Sequence, residues 1–338
     1  MSGSPLVSII TTYYNSVQLG GFVETSMDCL LKQTYKNIEF ICVNDGSTDS
    51  TLAELQDFAK QDSRIKIYTK ENQKYAQYAK AYGQEKSTGD FIFLFDHDDV
   101  IDVDTVEKCL SAFDADPSLE IVTPLVHTKF TDGRTKYISN LDRYINDISE
   151  YAVRKISGKE AIEKTVGRYD IHIRGLYKNK VFKSHSFRFS EALLNADEIV
   201  ERLIFEDARF IGSCNAVYTH YIHTDSSAKL PSPKKIDISR TDVILRQIFR
   251  EKGIYNERKR IFELTAYKNL VNSLKIFHLF SEKMTIEEKS IQQKRLQEAY
   301  SGLDKSIILS QFQGITKIYN MILLSRFSIM TTFYKYRK

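Results

Sequence analysis

The apolar run Phe91-Ile92-Phe93-Leu94-Phe95 ends abruptly in Asp96-His97-Asp98-Asp99, and this junction constrains the fold more than any other stretch. A short run this apolar and aromatic fits a strand buried on both faces, and such strands belong to parallel sheets covered by helices. The acids then stand at the strand's C-terminal end, the edge where open α/β sheets bind ligands. Three carboxylates within four residues repel one another and cost stability unless a cation or hydrogen-bond donors compensate. Asp also caps helices and tolerates turns, so taken alone the stretch is read equally well as a structural turn.

The neighbouring segments break the tie. Residues 6–12 read as a first buried strand, running into Tyr13-Tyr14-Asn15-Ser16 and a helix carrying Phe22, Cys29 and Leu30. A second strand over 38–43 ends in Asn44-Asp45-Gly46-Ser47-Thr48-Asp49, and Leu52, Leu55 and Phe58 give the following helix its apolar face. A third strand over 65–68 and a third helix over 75–86 lead to Phe91. Strands alternating with helices imply right-handed crossovers and a parallel, doubly wound sheet. The ends Thr11-Thr12-Tyr13-Tyr14, Asn44-Asp45 and Asp96-His97-Asp98-Asp99 should then gather at one edge. His97 is read as an exposed turn residue rather than a ligand.

Further along, Val106, Cys109, Leu110 and Phe113 mark a helix, and 121–126 resume strand character. Residues 129–151 are polar and weakly patterned, which fits a second-substrate region built on loops. In Asn195-Ala196-Asp197-Glu198 the acids precede Ile199, Leu203, Ile204 and Phe205 at helical spacing. They belong in or just before that helix's first turn, where the dipole favours carboxylates. Residues 214–221 read as a strand.

With 338 residues, 42% hydrophobic and 27% charged, the chain can bury one large domain and a smaller one, and wholesale disorder is excluded. The net charge of +4 gives no licence for nucleic-acid binding, but Lys and Arg concentrate toward the C-terminus, which points to an anionic surface. Cys29, Cys42, Cys109 and Cys214 form no Cys-x-x-Cys pair, so neither a zinc site nor a disulfide framework is expected. No signal-peptide pattern opens the sequence and no apolar run reaches the roughly 18 residues of a membrane span. The expected location is cytoplasmic, with peripheral contact at the inner face of the plasma membrane. A Ser/Pro segment at 226–233 marks a boundary, and helical spacing follows it. Near the C-terminus, Ile315, Ile318, Met321 and Ile322 mingle with Lys317, Arg326 and Lys335. This face either packs onto the preceding domain or lies in a membrane interface.

Four motifs, in this order and spacing, resemble the inverting family-2 glycosyltransferases of the GT-A fold, of the bacterial polysaccharide and lipo-oligosaccharide type. They are Val7-Ser8-Ile9-Ile10-Thr11-Thr12-Tyr13-Tyr14-Asn15, Gln33-Thr34-Tyr35-Lys36-Asn37-Ile38-Glu39, Asn44-Asp45-Gly46-Ser47-Thr48-Asp49 and the stretch from Gly89 to Asp99. The resemblance spans 5–228. It implies an α/β fold: a Rossmann-like nucleotide-diphospho-sugar transferase sheet with a C-terminal α-helical region. Residues 1–4 would be a leader or cloning scar, 5–126 the donor-binding half, 127–228 the acceptor-binding half and 229–338 a helical, basic region.

The activity implied is transfer of a sugar from a nucleotide-diphosphate donor, UDP-linked, to a hydroxyl of a glycan or lipid-linked glycan in surface polysaccharide synthesis. By position, Thr12 and Tyr14 would line the base pocket and Asp45 would accept a hydrogen bond from the base. Lys80 would face the phosphates where the family usually has Arg, with Asp96 nearby. Asp98 would sit by the ribose and diphosphate and, with Asp99, hold Mn2+ or Mg2+. Asp197 matches the family's general base, with Glu198 as the adjacent alternative. Departures are Lys80-Ala81 for Arg-Asn, Thr12 for a common Pro, and Asn44-Asp45 for an Asp pair. Two other readings remain. A sugar-1-phosphate nucleotidyltransferase would carry a Gly-rich loop after the first strand, where Thr11-Thr12-Tyr13-Tyr14-Asn15 has no glycine. A non-catalytic nucleotide-sugar-binding protein would have no need of Asp45, Asp98, Asp99 and Asp197 together.

Overall fold

The computed structural model describes residues 3–138, 144–145, 153–167, 174–189, 191–222 and 232–336. They form two compact units, one drawn from Met1–Lys164, Ile171–Ala192 and Val200–Ser226, the other from Thr165–Asp170, Leu193–Ile199 and Ser227–Lys338. The expected boundary segment at 226–233 lies mostly outside the described residues.

In the first unit the chain runs β1 (Val7–Tyr13), α1 (Phe22–Leu31), β2 (Ile38–Asn44), α2 (Thr51–Gln61), β3 (Ile65–Thr69), α3 (Ala76–Lys86) and β4 (Phe91–Asp96). The four strands are parallel, in the order β3-β2-β1-β4. Each element lies within a residue or two of its expected place. Every residue of β2 is buried, which is why it reads as a continuous apolar run rather than an alternating one. Its one charged residue, Glu39, is satisfied internally: Lys66 Nζ lies at 2.6 Å, Thr88 N at 2.7 Å and Ser8 Oγ at 2.5 Å. Gly89 sits where a Cβ would come 2.6 Å from Ser8 N and 2.7 Å from Leu6 O, so the chain enters β4 there only with glycine.

Beyond β4 come β5 (Val100–Ile101), α4 (Thr105–Ala115), β6 (Ile121–Phe130), β7 (Thr135–Ile138), β8 (Tyr144–Ile145), β9 (Lys155–Ser157) and α5 (Gly158–Thr165). They are followed by β10 (Leu176–Lys178), α6 (Asn179–Phe182), α7 (Ala196–Asp207) and β11 (Phe210–Ile222). Among the described residues the sheet has eleven strands and is mixed rather than purely parallel: β10 lies antiparallel between β4 and β6, while β6 and β11 are parallel. A three-residue strand shows no periodicity to read, and Leu176 and Tyr177 are buried between the two strands they pair with. Part of the region expected as loop, 129–151, is a hairpin, with β7 antiparallel to β6 and β8 beside β7; 139–143 and 146–151 lie outside the described residues. The register of β11 against β6 shifts between Ser213 and Val217.

The second unit is helical, as expected of the C-terminal region: α8 (Asp237–Glu251), α9 (Tyr255–Phe280), α10 (Ile286–Gly302), α11 (Lys305–Leu309), α12 (Gly314–Ser325) and α13 (Phe327–Tyr336). Leu245, Phe249, Phe262, Leu270, Leu274 and Leu296 are buried in it. Its interior also holds charge. Arg246 Nε donates to Glu263 at 2.8 Å, and the same carboxylate accepts from Tyr255 Oη at 2.8 Å and Asp304 N at 2.9 Å. No described helix is long and apolar enough to cross a membrane.

Candidate active site

The sheet register brings the expected strand ends together. Thr12 pairs with Val43 on one side and Asp96 on the other, and Tyr13 pairs with Asn44. The loops after β1 and β2 are laced to each other: Asn15 N donates to Ser47 Oγ at 3.0 Å, Thr48 N to Asn15 Oδ1 at 2.8 Å, Gln18 N to Asp49 at 3.0 Å and Asp45 N to Tyr13 O at 2.8 Å. Gly46 has φ +69° and a Cβ on it would lie 2.8 Å from Asn72 N, so the turn carrying Asp45 requires glycine on two counts.

Asp45 is buried, and its carboxylate accepts from Lys70 Nζ at 2.7 Å and Asn72 Nδ2 at 3.1 Å. Both partners follow β3, which makes a fourth strand end at the same edge. Lys70 and Asn72 are not among the expected site residues, although the strand-end rule that selects the other three ends selects them equally. Thr12 and Lys80 are half-buried, and Tyr14 is 44% exposed, its ring open to stack on a planar group.

At the end of β4 the three acids separate. Asp96 stays 39% exposed at its side chain and Asp98 is half-buried, whereas Asp99 is fully buried. Asp99 accepts from Tyr218 Oη at 2.7 Å and Tyr221 N at 3.0 Å, with His220 Nδ1 at 2.9 Å and Arg174 Nε at 3.4 Å. Arg174 also reaches Asp96 at 3.5 Å and covers the Tyr218 ring at 5.3 Å. Burial would by itself weaken the Arg174 charge, but Asp99, Tyr218 and Asp96 outweigh it and hold the guanidinium protonated above its usual range. Burial, then Asp99, then Asp96, raise the Tyr218 hydroxyl well above its ordinary value. His97, expected to be exposed, is half-buried, with its ring 5.7 Å from Tyr13 and 5.6 Å from Phe22.

The donor set suits a hard divalent cation. Burial, then Asp99, then Asp96, push the Asp98 carboxyl above the usual carboxylate range, so the half-open cluster is short of positive charge. Among the described residues no three His, Cys, Asp or Glu side chains are gathered as a metal site.

Asp197 and Glu198 lie in the first turn of α7, as the spacing implied, Asp197 half-buried and Glu198 buried. They belong to the segment Leu193–Ile199 of the second unit.

The chain matches the family described as Glycosyl transferase family 2 over residues 8–188. It is 28% identical over 159 residues to Glycosyltransferase GlyG of Streptococcus pneumoniae, covering 47% of this chain and 51% of that protein. The match spans between 33% and 62% of the length of the first three curated relatives. Among solved structures it resembles S. aureus TarS 1–349 in complex with UDP-GlcNAc, with TM-score 0.58 and 17% identity over 98% of this chain and 89% of that one. It also resembles the mannosyltransferase PcManGT of Pyrobaculum calidifontis in complex with GDP-Man and Mn2+, with TM-score 0.51 and 12% identity over 99% and 87%.

Proposed function

Because the chain belongs to Glycosyl transferase family 2 and has the GT-A fold, we propose that it is an inverting transferase. It moves a sugar from a UDP-linked donor to a hydroxyl of a glycan or lipid-linked glycan during surface polysaccharide assembly at the inner face of the plasma membrane. The observation that carries this reading is the gathering of the Asp45 pocket and the Asp96–Asp98 carboxylates at one sheet edge. The UDP-GlcNAc held by TarS supports a uridine donor, and the Mn2+ in PcManGT supports a metal.

In this mechanism the nucleobase stacks on Tyr14 beside Thr12 and hydrogen-bonds to Asp45, which Lys70 and Asn72 hold in place. Lys80 faces the phosphates as a point charge. Asp98, with Asp96 beside it, would hold Mn2+ or Mg2+, and the bound ion would offset negative charge on the departing diphosphate. Asp99 was the second expected ligand. Its oxygens are already engaged, and we assign it instead to fixing the turn that presents Asp98. Asp197 takes the proton of the acceptor hydroxyl as its oxygen bonds to the anomeric carbon from the face opposite the diphosphate. The bond from that carbon to the phosphate oxygen breaks, and UDP leaves with its electron pair. Glu198 is the alternative base.

The test is thermal unfolding and donor turnover of the full chain against a panel of nucleotide sugars, with and without Mn2+. At least one UDP-sugar should raise the midpoint only when metal is present. Asp197→Asn should keep that shift and lose transfer. Absence of any metal-dependent shift would overturn the donor assignment, and wild-type turnover by Asp197→Asn would overturn the base.

A further inference from the structure

Helix α12 buries Asn320, Leu323 and Leu324 on one side, yet its other side is also apolar. Ile315 is 86% exposed and Ile318 60% exposed, and Met321 and Ile322 are more than half exposed. Ile315, Ile318 and Ile322 follow i, i+3, i+7 spacing, so they form one stripe along the helix. On α13, Ile329 and Tyr336 are exposed as well. A helix that is apolar on both sides is normally enclosed in a core or set in lipid.

Charge separates lipid from other occupants. From Lys305 to the last residue the sequence carries six basic residues and no Asp or Glu. Lys317, Arg326 and Lys335 are exposed, and none of the three is in an ion pair among the described residues. A cavity of about 630 Å3 lies beside α13, lined by the apolar Phe277, Leu296 and Phe327 and by Lys289, Lys294 and Lys335. His278, which also lines it, has its buried Nε2 without a hydrogen-bond partner among the described residues. Exposed apolar side chains flanked by unopposed cations are the composition of an interfacial helix, with apolar groups among the acyl chains and cations among anionic headgroups.

We propose that the α12–α13 face is a membrane-docking surface that inserts Ile315, Ile318, Met321 and Ile322 into an anionic bilayer. This deepens the inner-membrane part of the function proposed above and gives it a residue-level basis. Docking by these helices would hold the enzyme where a lipid-borne acceptor is concentrated.

Vesicle co-sedimentation of the full chain tests it, with phosphatidylcholine alone and with phosphatidylcholine plus phosphatidylglycerol. Wild type should bind the anionic vesicles and be released by salt. Ile318→Glu/Ile322→Glu should bind at least about tenfold more weakly, and Lys317→Glu/Arg326→Glu should lose the preference for anionic lipid. Circular dichroism checks that each variant is folded, which exposed positions should tolerate. No binding by wild type at low salt, or equal binding by the variants, overturns the proposal. So does a dimer, seen by light scattering, that these substitutions dissociate, because the face would then belong to a second copy. Metal-dependent donor binding, measured without vesicles, reports separately on the catalytic reading, so either can fail without the other.

Discussion

Asp98 and Asp99 are adjacent, chemically identical residues in opposite situations. Asp98 is half-open, crowded by like charge and short of a counter-ion; Asp99 is enclosed by Tyr218, His220, Tyr221 N and Arg174. Neutralising each should therefore fail in different ways. Asp98→Asn should abolish Mn2+-dependent nucleotide binding while leaving the unfolding midpoint within a degree or so of wild type. Asp99→Asn leaves buried Arg174 with Asp96, at 3.5 Å, as its remaining carboxylate among the described contacts, and removing one member of a buried ion pair costs about 3 kcal/mol. Chemical denaturation and Mn2+ titration of the two variants check this: equal stability would show that the Asp99 enclosure contributes nothing. Nothing near Asp99 in the sequence distinguishes it from Asp98, because Tyr218 and His220 stand 119 and 121 residues further on. Lys70 and Asn72 were different. They follow a legible strand and needed only the strand-end rule.

At the scale of elements, the parallel core was legible because β1, β2 and β4 are continuous apolar runs between strong helix signals. The strand β10 was not, since three residues carry no period and its pairing is decided by partners distant in sequence. Glu39 shows how these elements are fastened. From the second residue of β2 it reaches Ser8 on β1, Lys66 on β3 and Thr88 just before β4. Burial opposes its charge, but Lys66, Ser8 and Thr88 overcome that and hold the carboxyl down at about 2, against an ordinary 4.5. A depressed carboxyl contributes stability above its unfolded value and loses it as pH falls through the folded one. Glu39→Gln should therefore destabilise the first unit by about 2 kcal/mol at neutral pH, with the difference from wild type shrinking below pH 4.5 and vanishing near 2. Urea unfolding across that range measures it, and a difference independent of pH would mean the charge is not what fastens the strands.

At the scale of the whole molecule, one buried carboxyl in each unit contributes a pH dependence of opposite sense. The second unit buries Asp242 in α8, where burial drives the carboxyl up; Asn269 and Arg246 pull it back, Glu263 raises it further, and it settles at about 7, against an ordinary 3.8. For a raised carboxyl the sign reverses: its contribution is complete below the unfolded value and is lost as pH rises through the folded one. The second unit should therefore weaken between pH 4 and 7, mostly above pH 4.5, where the Glu39 contribution to the first unit is already complete. Asp242→Asn keeps the size of the side chain and a donor and acceptor for Asn269, but cannot ionise. It should flatten the decline of the second unit's unfolding midpoint across pH 4 to 7 and leave the response to Glu39→Gln unchanged, because two groups in separate units with no shared partner contribute additively. Calorimetric scans of wild type and both variants at pH 4, 5.5 and 7 read this directly. A decline that persists unchanged in Asp242→Asn would show that Asp242 is not the group that sets it.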